Sequence, residues 1–232
     1  MDMDLRISEK DVLYEDNHII AINKRPSDIV QGDKTGDEPL SEKVKTFLKN
    51  KYNKPGNVFC GVVHRLDRPV SGVVVFAKTG KALSRLNDLI RERKIKKIYW
   101  AVIPSMPPAE QGSLVHYLKK DQQRNISFAF KDEGPGRLKA EMDYRLIGKS
   151  DRYYLLEVDL LTGRHHQIRV QLAEIGCPVK GDLKYGAARS NKDGSIHLHA
   201  REISFVHPIR KEGIKITAPP PYDPVWDHFK DS

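Results

Sequence analysis

His64-Arg65-Leu66-Asp67-Arg68-Pro69-Val70-Ser71-Gly72 runs directly into the apolar stretch Val73-Val74-Val75-Phe76-Ala77. Pro69 and Gly72 punctuate the first half as a turn, and the second half reads as a buried strand. One carboxylate, Asp67, is thereby held in a short turn between two arginines at the mouth of a strand. An ionised, rigidly aimed aspartate is what covalent or proton-transfer chemistry needs. An aspartate just ahead of a proline is also a common turn cap. On these residues alone both readings stand.

Working outward, Val12-Leu13-Tyr14 and Ile19-Ile20-Ala21-Ile22 flank the polar Glu15-Asp16-Asn17-His18 and predict a hairpin. Leu40, Val44, Phe47 and Leu48 at helical spacing predict a helix over 39–52, with Ser41 as its cap. A second helix is expected through Ala82, Leu83, Leu86, Leu89 and Ile90, then a strand over 98–103. The stretch 118–138 carries Lys119, Lys120, Arg124, Lys131 and Arg137 around Gly134-Pro135-Gly136 and reads as irregular loop. Paired strands are expected at 144–147 and 153–161. A helix over 164–175 would place Ile168, Leu172 and Ile175 on one face, with Gly176 as its C-terminal cap and Pro178 beyond. Strands over 196–205 and 214–218 precede the extended Pro219-Pro220-Pro221. Strands outnumber helices and hairpins recur, which predicts an α+β fold on a mixed, mainly antiparallel sheet.

A chain of 232 residues suits one sizeable domain or two closely packed halves. Hydrophobic residues at 39% and charged residues at 31% belong to a soluble globular protein rather than a disordered one. Lysine and arginine (40) exceed aspartate and glutamate (31), giving +9. That excess fits a polyanionic partner such as a nucleic acid, and equally an ordinary basic protein. The two cysteines, Cys60 and Cys177, have no C-x-x-C or zinc spacing and read as reduced, buried thiols. His64, His165, His166, His197, His199 and His207 lack a neighbouring acidic or thiol ligand set, so no metal is expected. There is no glycine-rich phosphate loop or dinucleotide fingerprint. The acidic start, Met1-Asp2-Met3-Asp4, has no signal-peptide core, and no transmembrane span is present in the sequence. A cytoplasmic protein without membrane contact is the expectation.

The 64–72 stretch resembles the H-R-L-D-x-x-T-S-G active-site motif of RluA-type pseudouridine synthases, with Val70 where that family usually has threonine. Ile22-Asn23-Lys24 and Pro26 resemble its early I-N-K-P element, with Arg25 inserted. Lys97-Ile98-Tyr99-Trp100-Ala101 resembles the K-x-Y-x-A strand, and Leu161-Thr162-Gly163-Arg164-His165-His166-Gln167-Ile168-Arg169 the L-T-G-R-T-H-Q-I-R block, with His165 replacing threonine. Gly176-Cys177-Pro178, Gly181-Asp182 and Tyr185-Gly186 match the tail of that block. Leu198-His199-Ala200 and Phe205-Val206-His207-Pro208 match the closing elements. The blocks follow in family order from about residue 12 onward.

The resemblance implies a single catalytic domain over 1–232 with a cleft across its sheet, and no RNA-binding domain ahead of it. It implies conversion of uridine to pseudouridine in ribosomal or transfer RNA, an isomerisation that needs no cofactor. Asp67 is the matching catalytic position, acting either as nucleophile on the ribose or as base on its 2′ proton. Arg169 matches the basic residue paired to that aspartate, and a guanidinium suits the task. Tyr99 matches the tyrosine that stacks on the target base; by strand alternation it shares a face with Lys97 and Ala101. His64, Arg65, Arg68, Arg164, His166 and Lys180 are expected to contact RNA, with Lys119 and Arg124 as further phosphate partners. The expected partner is a structured stem-loop, bound by a monomer. A catalytically silent RNA-binding protein on the same scaffold is the alternative.

Overall fold

The computed structural model describes residues 6–229, and the acidic start at 1–4 lies outside them. The chain folds as two compact units, one formed by residues up to Ile95 with Glu202–Pro219, the other by Lys96–Arg201 with the residues from Pro220 onward.

In the first unit, β1 (Val12–Glu15) and β2 (Ile19–Lys24) form the expected antiparallel hairpin. Asp16 closes its turn by accepting the N–H groups of His18 and Ile19 at 2.7 and 2.9 Å. β2 pairs in turn with β4 (Ser71–Ala77), in a register that sets Ile20 opposite Phe76, Ile22 opposite Val74 and Lys24 opposite Gly72. All seven residues of β4 are buried, as an unbroken apolar run requires. The short β3 (Gly61–Val62) pairs with the far end of β4, so the Asp67 stretch is the loop between two antiparallel strands.

The first helix, α1, covers Leu40–Lys51. Ser41 does not cap it: this side chain is buried inside the first turn, and the Leu40 and Ser41 N–H groups donate instead to the Ile29 and Val30 carbonyls. α2 (Gly80–Arg91) is capped by Thr79, whose hydroxyl accepts the Ala82 N–H. β11 (Gly213–Thr217) pairs antiparallel with the later part of β10 (Leu198–Val206), a strand that begins in one unit and ends in the other.

The second unit is an antiparallel array in the order β5 (Lys96–Ile103), β9 (Tyr154–Leu160), β8 (Leu138–Lys149), β6 (Gln111–Asp121), β7 (Ile126–Phe130). Here the expected loop at 118–138 is corrected. Its first half is the β6–β7 hairpin, turned by Asp121, which accepts the Arg124 N–H, and by Asn125 at φ +49°. Only the segment around Gly134-Pro135-Gly136 is irregular. Regular alternation was disguised because β7 turns polar Ser127 inward and Phe128 outward.

α3 is also shorter than expected, running Gln167–Glu174 rather than from 164. His166 sits in the left-handed region at φ +54°, so the helix cannot extend back through it. The last helix, α4 (Pro224–His228), is capped by Asp223 and packs Trp226 and Phe229 with Trp100, Val102 and Leu155. The architecture is mixed α+β, and every strand pair described within a unit is antiparallel.

Candidate active site

Residues 67–70 form a turn in which the Val70 N–H donates to the Asp67 carbonyl at 3.0 Å. Arg68 and Pro69 occupy its corners, and Val70 fills buried space where a threonine would bring a hydroxyl. Gly72 then adopts φ +117°, a backbone angle that L side chains rarely adopt and that fits a glycine at this place.

What holds the turn is Lys24, only 1% exposed although it is a lysine. Its ammonium donates to the Val70, Arg25 and Arg68 carbonyls at 2.7, 2.9 and 3.1 Å, so each of its three protons has an acceptor. Burial drives its pKa down to about 7, against the opposing charges of Asp28 and Asp67. The Arg68 carbonyl also takes the Ser27 N–H at 2.9 Å. Asp67 is half-buried on this fixed backbone. His64 ties the start of the same loop to the sheet, its Nε2 accepting the Val75 N–H at 3.1 Å.

The flanking arginines behave differently from what sequence adjacency suggests. Arg68 turns to the 33–37 loop, with Nη2 at 2.6 Å from Asp37, 2.8 Å from Thr35 and 3.7 Å from Asp33. The guanidinium holds the Asp37 carboxyl below its usual range, and the Thr35 hydroxyl does the same for Asp33. Arg65 is exposed and makes no ion pair among the described residues.

In the second unit, Arg169 is 4% exposed and grips Asp182 bidentately, Nε to Oδ2 at 2.6 Å and Nη2 to Oδ1 at 2.8 Å. Its guanidinium carbon lies 5.1 Å from the Tyr185 ring centroid. Tyr185 in turn fixes His166. Its oxygen accepts the Ser127 N–H at 2.8 Å and shares a hydrogen bond with His166 Nδ1, also at 2.8 Å. Burial pushes this imidazole's pKa to about 2, so the ring is neutral and one of its nitrogens is an acceptor.

His165 stacks on His166 at 3.8 Å, with Ser127 Oγ and Asn125 Oδ1 facing its two ring nitrogens. Gln167 completes the block. Its Oε1 accepts from the Thr162 hydroxyl and the Arg164 N–H, and its Nε2 donates to the Glu141 carbonyl. The Arg164 backbone amide, next to the start of α3, is thus already occupied. The Arg164 side chain is anchored as well, Nε donating to the Lys139 carbonyl at 3.0 Å.

Tyr99 is 7% exposed on β5. Lys97, two residues earlier on the same face, was not expected to matter. Burial lowers its pKa, and its ammonium has no hydrogen-bond or ion-pair partner among the described residues. A Cβ added at Gly163 would lie 3.3 Å from its Nζ, so the glycine of the L-T-G-R block leaves room for this cation. Lys180 is half-buried and donates to Asn191 Oδ1 at 2.7 Å, and burial lowers its pKa against the opposing charges of Asp223 and Asp193. It belongs to the set that carries His197 and Asp223 to the α4 cap. Among the described residues no group of three or more His, Cys, Asp or Glu side chains is placed to hold a metal, and no helix is long and apolar enough to cross a membrane.

Lys24, Asp182 and Tyr185 fall within the quoted motifs, but the sequence alone assigns them no task. Their partners are 44 and 46 residues away for Lys24 and 13 for Asp182. The available signal was charge: a lysine inside the apolar β2, and an acid a short distance beyond an arginine on a helix buried all round.

The architecture is that of pseudouridine synthase domains. The solved structure titled Human RNA Pseudouridylate Synthase Domain Containing 4 matches at TM-score 0.77 with 21% identity, covering 94% of this chain and 91% of that one. A family model described as RNA pseudouridylate synthase matches residues 18–174, a range holding Asp67, Tyr99 and Arg169, and the chain belongs to that family.

Ribosomal large subunit pseudouridine synthase C of Buchnera aphidicola is 33% identical over 218 residues, 91% of this chain and 67% of that protein. tRNA pseudouridine synthase C of Vibrio parahaemolyticus is 28% identical over 239 residues, 95% of this chain and 94% of that protein. The chain spans about half to two thirds of the length of several other curated relatives.

Proposed function

We propose that this protein is an RNA pseudouridine synthase acting on ribosomal or transfer RNA, with Asp67 as its catalytic carboxylate. The observation that carries the reading is the Asp67 turn, braced from below by a buried ammonium on three carbonyls, inside the region matched by the family model. A lysine buried to 1% is costly, and such expense is characteristic of sites that must hold one side chain in one direction.

In the reaction the bond from uracil N1 to ribose C1′ breaks, the base turns, and C5 bonds to C1′ as its proton leaves. No electrons are gained or lost overall, so the reading calls for no cofactor. Asp67 serves either as the nucleophile at C1′ or as the base at the 2′ carbon. Tyr99 supplies the ring against which the base stacks. Arg169, held rigid by Asp182 and Tyr185, supplies a fixed positive charge. Extruding the uridine costs a few kcal/mol, offset by cations on phosphate.

We assign that role first to Arg65 and Lys97, because Arg68, Arg164 and Lys180 are already engaged by Asp37, Lys139 and Asn191. His64 and His166 orient their loops. The reading further takes residues 1–232 as one catalytic domain, monomeric and cytoplasmic, with the ribosomal and transfer RNA classes drawn from the names of the Buchnera and Vibrio relatives.

The test is pseudouridine mapping of total RNA from cells with and without the gene. Loss of one or a few discrete pseudouridines supports the reading. An unchanged map, with RNA affinity intact in the purified protein, favours the catalytically silent RNA-binding alternative.

A further inference from the structure

The hairpin mistaken for a loop carries an inverted strand. On β7 the polar Ser127 is buried, bonded to the His165 carbonyl and ring, while the neighbouring Phe128 is 42% exposed. The register shows what shares the outer face. Phe128 lies opposite Lys119, and Phe130 opposite Tyr117, which on its other side lies opposite Lys139. The Arg137 guanidinium stacks 3.8 Å above the Phe130 ring. The inner face is ordinary, with Leu118 and Ala140 packed on Val170 of α3.

Three aromatic rings thus alternate with Lys119, Arg137 and Lys139 on one outward sheet face. The acids on this face include Glu141, which pairs with Lys139 at 2.6 Å, Asp121, which lies 3.9 Å from Arg124, and, farther along β8, Asp143, which accepts from the Ser113 hydroxyl. Lys119 has no hydrogen-bond or ion-pair partner among the described residues.

We propose that this face is a second RNA-contact surface, a stacking platform for unpaired nucleotides of the RNA substrate. The partner follows from the chemistry. The exposed Phe128 ring offers a π face to a base, with the half-buried Tyr117 and Phe130 rings beside it; the cations between them suit the intervening phosphates, and the +9 chain favours a polyanion. A duplex hides its base faces and has little use for such rings. The platform deepens the RNA reading above and rests on it for the identity of the RNA. It also reaches the family motif directly, since Ser127 presses on the His165–His166 turn from the inner side of the strand that bears Phe128.

The test measures binding of a fluorescein-labelled dodecauridylate by anisotropy, using the full-length protein and its Phe128→Leu, Phe128→Tyr and Lys119→Gln variants. Leucine keeps apolar bulk and loses the π face, so its Kd should rise about fivefold or more, while tyrosine stays within about twofold. Lys119→Gln should reduce the slope of log K against log salt by about 0.7. Photocrosslinking of 4-thiouridine RNA to wild type gives a readout free of any folding effect, with crosslinks expected on residues 117–130.

Equal affinity for all three variants, or crosslinks that avoid this hairpin, overturns the platform. Pseudouridine formation by wild type is followed in parallel. A protein that forms none, yet loses oligouridine with Phe128→Leu, refutes the enzymatic reading while leaving the platform standing. A protein that forms pseudouridine with Phe128→Leu binding as wild type refutes the platform alone.

Discussion

Replacing Lys24 by methionine keeps most of the side-chain volume and removes the ammonium beneath Asp67. In the fold, burial brings the Lys24 pKa to about 7, whereas the unfolded chain holds that proton up to its ordinary value of 10.5. Between those values the unfolded state binds more protons, so stability rises with pH. At pH 6 the burial costs about 5 kcal/mol, and by pH 9 only about 2 kcal/mol remains. The difference in unfolding free energy, wild type minus Lys24→Met, should therefore grow by about 2 to 3 kcal/mol from pH 6 to pH 9.

Methionine also strips the buried Arg25, Arg68 and Val70 carbonyls of their donor, at about 1–3 kcal/mol for each left unpaired. Urea denaturation followed by circular dichroism, at four pH values for both proteins, measures the difference. Two parallel stability curves would refute the reasoning, because they would mean that the ammonium titrates as it does in water. The variant should also lose most of its pseudouridine formation, since the turn that aims Asp67 loses its brace.

Asp182→Asn breaks a buried bidentate pair and should cost about 3–5 kcal/mol, lowering Tm by roughly 10 °C in calorimetry; an unchanged Tm would contradict the anchoring of Arg169. Lys97→Met removes a desolvated cation that has no partner among the described residues, so KM for RNA should rise while Tm holds or increases. A lower Tm with unchanged KM would make Lys97 a structural residue instead. Burial lifts the Cys60 thiol to about 12 and raises Cys177 as well, so both should resist a thiol reagent at pH 8 until urea unfolds the chain. Rapid labelling of the native protein would show that one of them is not buried.

The elements legible in the sequence were those whose side-chain period matches their burial. The β1–β2 hairpin, the β4 run and α2 all obey that rule. The β6–β7 hairpin breaks it, because Ser127 faces in and Phe128 faces out, so a period-2 reading found only noise. The start of α3 was misplaced because the left-handed backbone at His166 has no sequence marker as strong as a glycine. Asp223-Pro224, an N-cap with proline at the first helical position, is the sequence mark of α4 beyond the extended Pro219-Pro220-Pro221.

Among the candidate residues, Asp67, Tyr99 and Arg169 were legible through local strings that resemble a family's motifs. Their supports were not, because Lys24 meets the 67–70 turn and Arg169 meets Asp182 only through folding. Arg68 shows the converse: a neighbour in sequence whose side chain goes to Asp37 instead.

The most direct measurement of the central claim compares purified wild type with Asp67→Asn on unmodified ribosomal and transfer RNA, counting pseudouridine by mass spectrometry. The asparagine variant nearly preserves shape, so it should keep the wild-type Tm and RNA affinity. Its rate should fall by at least about 100-fold, the loss expected when a group that attacks or moves a proton is removed. Pseudouridine formed by Asp67→Asn at the wild-type rate would contradict the account.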